Sequence, residues 1–126
     1  MKRFFFILLA FYFSTFYSQG SYHIIGTENI QNSVMSYPSI YGNYYRGVKN
    51  QFLVRASEMQ AAGMTAGNIT SLGLEVVTPS GATLNNFEIK IKSITQNSIE
   101  TWSDNLSVHY GPMGFIDQVG WNQHDF

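Results

Sequence analysis

Tyr41-Gly42-Asn43-Tyr44-Tyr45-Arg46-Gly47 leads through Val48 into Lys49-Asn50-Gln51-Phe52-Leu53-Val54-Arg55-Ala56-Ser57-Glu58-Met59-Gln60-Ala61-Ala62-Gly63. The first part is an aromatic turn punctuated by glycine. In the second, Phe52 and Val54 fall on one side of an extended chain and Gln51, Leu53 and Arg55 on the other, the pattern of a half-buried strand over 49–55. Ser57 stands three residues before Gln60, a capping-box spacing, and Gly63 is placed to close a helical turn over 57–62 in the left-handed conformation. One turn is too short to form a packing layer, so strands must supply the core.

Those strands follow. Residues 69–77 alternate, with Thr70, Leu72, Leu74 and Val76 on one face and Ile69, Ser71, Gly73, Glu75 and Val77 on the other. Thr78-Pro79-Ser80-Gly81 is a turn by residue type. From Phe87 to Lys92 the alternation is cleanest: Phe87, Ile89 and Ile91 point inward while Glu88, Lys90 and Lys92 point out, as in an antiparallel sheet with one wet face. Segments 99–102 and 106–110 are weaker strand candidates. Gly111-Pro112 reads as a break, 114–120 as loop, and 121–126 as the start of a strand with Trp121 and Phe126 as its apolar positions. Short strands between turn signals, without a long helix, predict an all-β antiparallel sandwich of jelly-roll type. About six strands are readable where a jelly roll has about eight. Either the sandwich over 37–126 is small or the module lacks its last strand or strands, and the second is the expectation.

Upstream, Lys2 and Arg3 precede an apolar run from Phe4 to Tyr17, and small or polar residues follow at Ser18, Gln19, Gly20 and Ser21. This is the pattern of a secretory signal peptide over 1–20, with cleavage after Gly20 or, as the alternative, after Ser18. The run is shorter than the ~20 residues of a spanning helix. Residues 21–36 are polar and form an arm or edge strand, and Tyr37-Pro38 forces an extended entry to the module. The chain has no cysteine, which excludes both a disulfide framework and a lipoprotein anchor. Loss of Lys2 and Arg3 with the leader leaves five basic residues against eight acidic ones. Such a chain has no electrostatic footprint for nucleic acid and no polybasic cluster for anionic lipid, so its contact with membrane is through the leader before cleavage.

Catalytic and metal signals are sparse. His23, His109 and His124 form no His-x-x-x-His pair. His124 is followed by Asp125, but neighbours on a strand point to opposite faces, and the expectation is a histidine on the strand surface. Gly42 and Gly47 bracket an aromatic loop and form no phosphate cradle. Asp104 and Asp117 are weak calcium candidates, with Asn105 as a further oxygen donor, because no Asp-x-Asp-x-Asp spacing joins them. No other cofactor is expected. Tyr41, Tyr44, Tyr45, Trp102 and Trp121 are the aromatic candidates, of which Tyr41 and Trp121 read chiefly as packing residues. Tyr44, Tyr45 and Arg46 are the ligand-binding candidates: aromatic faces beside a guanidinium suit a sugar ring or a protein surface. In an extended segment Tyr44 and Arg46 would share one face and Tyr45 the other.

Residues 41–47, 51–58, 61–64, 66–72, 86–91 and 120–126 together resemble a β-sandwich module of secreted bacterial proteins. Those proteins are multidomain surface or extracellular proteins, many exported through the type IX system with a carboxy-terminal sorting domain. The resemblance covers roughly residues 33–126. It implies an exported, non-catalytic module with an adhesion or accessory binding role, whose partner is a glycan or a cell-surface protein. Such modules occur beside fibronectin-like, adhesion and hydrolase domains and continue into a further strand past the tryptophan–histidine–phenylalanine segment. Two alternatives remain open: the amino-terminal fragment of a secreted multidomain hydrolase, and a structural spacer of a surface protein.

Overall fold

Phe87, Ile89 and Ile91 are half-buried and Glu88, Lys90 and Lys92 exposed, as the alternation requires. They lie in or beside one of four strands in the computed structural model, which describes residues 21–26, 39–42 and 44–126. The expected leader over 1–20, most of the arm and the Tyr37-Pro38 entry fall outside the described residues. Among those described, the elements in chain order are a short helix α1 (Ala56–Ala61) and strands β1 (Ser71–Val76), β2 (Leu84–Ile91), β3 (Ser107–Phe115) and β4 (Gly120–Asp125). The strands form two antiparallel two-stranded sheets, β1 with β4 and β2 with β3. With strands predominating and one six-residue helix, the described chain is all-β in character.

The β1–β4 ladder is regular, from Ser71 opposite Asp125 to Val76 opposite Gly120. The β2–β3 ladder shifts register repeatedly between Leu84 and Lys90. Asn86 and Gly111 take positive φ at these irregularities (56° and 78°). Gly111 is required there, because a Cβ at this position would run into the backbone carbonyl of Phe87. Gly111-Pro112, expected to break the chain, is a cis peptide inside β3, which continues to Phe115.

Two expected strands do not form. Residues 49–55 and 99–102 carry no strand ladder, although they run side by side. Gln51 Oε1 accepts the Ser103 N–H at 3.1 Å, Arg55 donates to the Asn97 carbonyl at 3.1 Å, and the Lys49 ammonium stands 4.8 Å from the centre of the Trp102 ring. Side chains fill the interval in which a backbone ladder would run. Phe52 and Val54 consequently face solvent.

The helix also differs at its start. Arg55, not Ser57, is the capping residue, and the Glu58 carboxylate accepts the Arg55 N–H at 2.6 Å, so the acid at the third helical position takes the part expected of Gln60. Its end is as expected. Gly63, at φ 88°, donates to the Gln60 carbonyl and Met64 to the Met59 carbonyl, the two bonds of a Schellman closure. The 21–26 segment docks beside it, with His23 Nδ1 2.9 Å from the Ala62 carbonyl.

The two sheets meet through rings. His124, on β4, contacts Phe87 of β2 and Tyr110 and Phe115 of β3, with centroids 5.2, 4.6 and 4.8 Å away. Both connections between the sheets are clamped at Asp117, between β3 and β4. Its carboxylate accepts the N–H (2.8 Å) and the hydroxyl (2.7 Å) of Ser80, which lies between β1 and β2.

Candidate functional site

Tyr41 and His124 occupy the centre of the molecule. Alternation along β4 sends Asn122 and His124 to the covered face, where they oppose Leu74 and Leu72 of β1. The His124 side chain is completely buried, which overturns the expectation of a surface histidine. Of the two apolar positions expected here, Trp121 points out and Phe126 is half-buried just past the strand, while the inward positions of β4 are the polar Asn122 and His124. Tyr41 is also buried, and its ring packs on Phe87 and Phe115 at 5.6 and 5.4 Å.

The Tyr41 Oη and His124 Nε2 are 2.7 Å apart. Whichever of the two carries the shared proton, His124 Nδ1 is buried without a hydrogen-bond partner among the described residues. Burial holds the imidazole below its ordinary pKa of 6.5, and the nearby Asp125 charge offsets this in part. Burial pushes the Tyr41 phenol up, with the Asp117 charge and Tyr110 adding to the effect. Both groups are thus held neutral at pH 7. A neutral imidazole wrapped in rings cannot be reached by a substrate, so this pair is packing.

Tyr44, Tyr45 and Arg46 sit together on the surface. Residues 44–45 form a turn and Arg46 has φ 65°, so the segment is not extended and its side chains do not alternate between faces. Instead the Tyr44 and Tyr45 rings meet edge to face, 4.8 Å apart and nearly perpendicular at 87°. They remain 65% and 70% exposed. A positive φ is uncommon for a residue other than glycine, asparagine or aspartate.

The remaining candidates are dispersed. Asp104 is exposed and Asp117 is committed to Ser80. Among the described residues no group of three or more histidine or acidic side chains is placed to hold a metal ion. Trp121, read chiefly as a packing residue, is instead 57% exposed, and Trp102 is 53% exposed. No described helix is long and apolar enough to cross a membrane. Comparison with known proteins gives no match: no family model, no curated protein and no solved structure matches the chain.

Proposed function

We propose that the chain is an exported, non-catalytic β-sandwich module of the bacterial surface, with an adhesion or accessory binding role, and that Tyr44, Tyr45 and Arg46 contact its partner, a glycan or a cell-surface protein. The observation that carries this reading is the exposed edge-to-face pair of Tyr44 and Tyr45 beside Arg46, in a tight turn. Two large aromatic faces in a fixed mutual orientation lose little freedom on binding, and interface hot spots are enriched in tyrosine and arginine. Loops held by a scaffold are where binding residues concentrate, and Tyr41, three residues before the pair, is anchored in the ring cluster. The non-catalytic reading is supported by the burial of His124, the best base candidate of the sequence.

The test is a Tyr44→Ala, Arg46→Ala double substitution. Attachment to glycan-coated and cell surfaces is expected to fall at least about tenfold, the effect of losing one to two hot-spot side chains. The thermal midpoint should move by only a few degrees, because neither side chain is buried. Unchanged attachment would refute the assignment of this turn. For export, the surface or medium fraction should contain a chain whose new amino terminus lies between Gln19 and Tyr22; an intact Met1 there would refute cleavage.

A further inference from the structure

The face of the β1–β4 ribbon opposite His124 presents three cross-strand pairs. Ser71 faces Asp125, Gly73 faces Gln123, and Glu75 faces Trp121. The indole of Trp121 leans diagonally over Gly73, where a Cβ would stand 3.3 Å from the ring carbon Cε3. Glycine at 73 therefore lets the indole lie across the neighbouring strand. At the Asp125 end the face runs into an open cavity of about 320 Å³ lined by Ser21, Tyr22, Thr70, Ser71, Gln123 and Asp125. Gln123 Nε2 donates to Asp125 Oδ1 at 2.6 Å, which fixes both side chains and leaves Oδ2 and the Gln123 carbonyl oxygen as acceptors. Tyr22, 77% exposed, stands at the same opening.

The chemistry of this lining selects a ligand class. Among the described residues the lining has no lysine or arginine, and Asp125 and Glu75 place negative charge along the face, which disfavours an anionic ligand. Among the described residues it has no aliphatic wall for a lipid chain. It offers hydroxyls, an amide and a carboxylate, groups that both donate and accept, together with aromatic surfaces at Tyr22 and Trp121 for an apolar C–H face. The volume is at the lower end of the roughly 300–1,000 Å³ of small-ligand sites. From Asp125 to Trp121 the strand covers about 13 Å at its ordinary rise, longer than one sugar ring.

We propose that this face binds a neutral oligosaccharide, with one ring in the cavity against Tyr22, Gln123 and Asp125 and the following rings laid along β4 toward Trp121. The inference rests on reading the chain as a binding module, but it assigns a ligand and a site separate from the Tyr44 turn.

The purified chain is titrated with maltohexaose, cellohexaose, xylohexaose and chitohexaose, followed by Trp121-sensitive fluorescence and by calorimetry. At least one is expected to bind, with binding weakened about tenfold or more in Trp121→Ala and in Asp125→Asn. The Tyr44→Ala, Arg46→Ala variant should bind the same saccharide unchanged. Tyr22→Ala and Asp125→Asn alter exposed side chains, so they decide the matter even if Trp121→Ala weakens the sheet. Failure of all four saccharides to bind overturns the proposal, as does wild-type affinity in both exposed variants. Saccharide binding lost only in the Tyr44 variant would overturn it too, while leaving the first site standing; attachment to protein surfaces alone would do the same.

Discussion

Tyr41 Oη lies 2.7 Å from His124 Nε2, joining side chains 83 positions apart inside a cluster of aromatic rings. Among the described residues this is the one hydrogen bond either side chain makes, and Nδ1 has no partner. The pair is therefore worth less than its burial suggests when intact, and more when one half is removed.

His124→Ala should destabilise the fold by about 3 kcal/mol, the usual range for emptying a large core position. Tyr41→Phe leaves Nε2 unpaired and should cost about 1–3 kcal/mol. The double variant Tyr41→Phe, His124→Phe removes both polar partners and retains ring volume, so it should be less destabilised than the sum of its singles. A urea-unfolding double-mutant cycle measures this; additive losses would mean that the bond contributes no coupling.

Stability should fall at both ends of the pH scale. His124 is depressed in the fold, so the unfolded chain takes up the proton first. Its contribution is full above the ordinary value of 6.5, declines as pH drops below it, and levels off once pH passes the folded-state value. Tyr41 is raised, so the unfolded chain loses its proton first, and stability declines as pH rises above 10.0. Within either window the slope for one proton is about 1.4 kcal/mol per pH unit. Urea midpoints measured from acid to alkaline pH should trace this dome, and His124→Phe should flatten the acid limb attributed to that imidazole.

The Asp117 clamp gives a graded pair of variants. Ser80→Ala keeps the backbone donor and loses the hydroxyl, for about 1 kcal/mol, whereas Asp117→Ala strands both Ser80 donors and should cost about 2–3 kcal/mol. Asp117→Asn should also ease Tyr41 ionisation, since the Asp117 charge helps to hold the phenol neutral. Spectrophotometric titration of the phenol tests this. An unshifted or higher phenol midpoint would remove Asp117 from the account.

Gly111→Ala should be among the most destabilising single substitutions, about 3 kcal/mol or more, because the obstruction is the Phe87 carbonyl and not a side chain that could swing away. Gly63→Ala meets only ordinary contact with His23 and should cost about 1 kcal/mol for its positive φ. If thermal melts show equal losses, steric closure at Gly111 is not what selects glycine.

The strands that were legible are those whose two faces differ in polarity. β2 announced itself through Phe87, Ile89 and Ile91 against charged neighbours, and β1 through Leu72, Leu74 and Val76. β4 was legible as a strand but not in its orientation, because its covered residues are Asn122 and His124 and its one large apolar residue, Trp121, points out. What turns that strand is Leu72 and Leu74 across the ladder, a partner that no local pattern can supply. Residues 49–55 show the converse, good alternation without a ladder, since alternation describes one chain and a sheet needs two. Gly63 could be read because a helix end is a local event. The binding candidates Tyr44 to Arg46 were legible as residue types, but the turn that sets the two rings edge to face, with Arg46 at positive φ, was not. The β1–β4 face was not legible, since it joins Ser21 and Tyr22 to residues a hundred positions away.

The pairing of β1 with β4 bears on the order of assembly. The partner of Ser71–Val76 is Gly120–Asp125, and the ring that joins the two sheets is His124. A chain growing from its amino terminus can form the α1 turn and begin the β2–β3 ladder, but until residues 120–125 are released β1 has no partner and Tyr41 nothing to bond. Translation and folding are then out of phase: the earlier-made segments wait, with apolar side chains uncovered, for residues 120–125. Contacts this distant in sequence also slow the search itself. Pausing a ribosome just short of codon 120 would hold the nascent chain in that waiting state, open to proteases and to chaperones that clasp extended apolar segments.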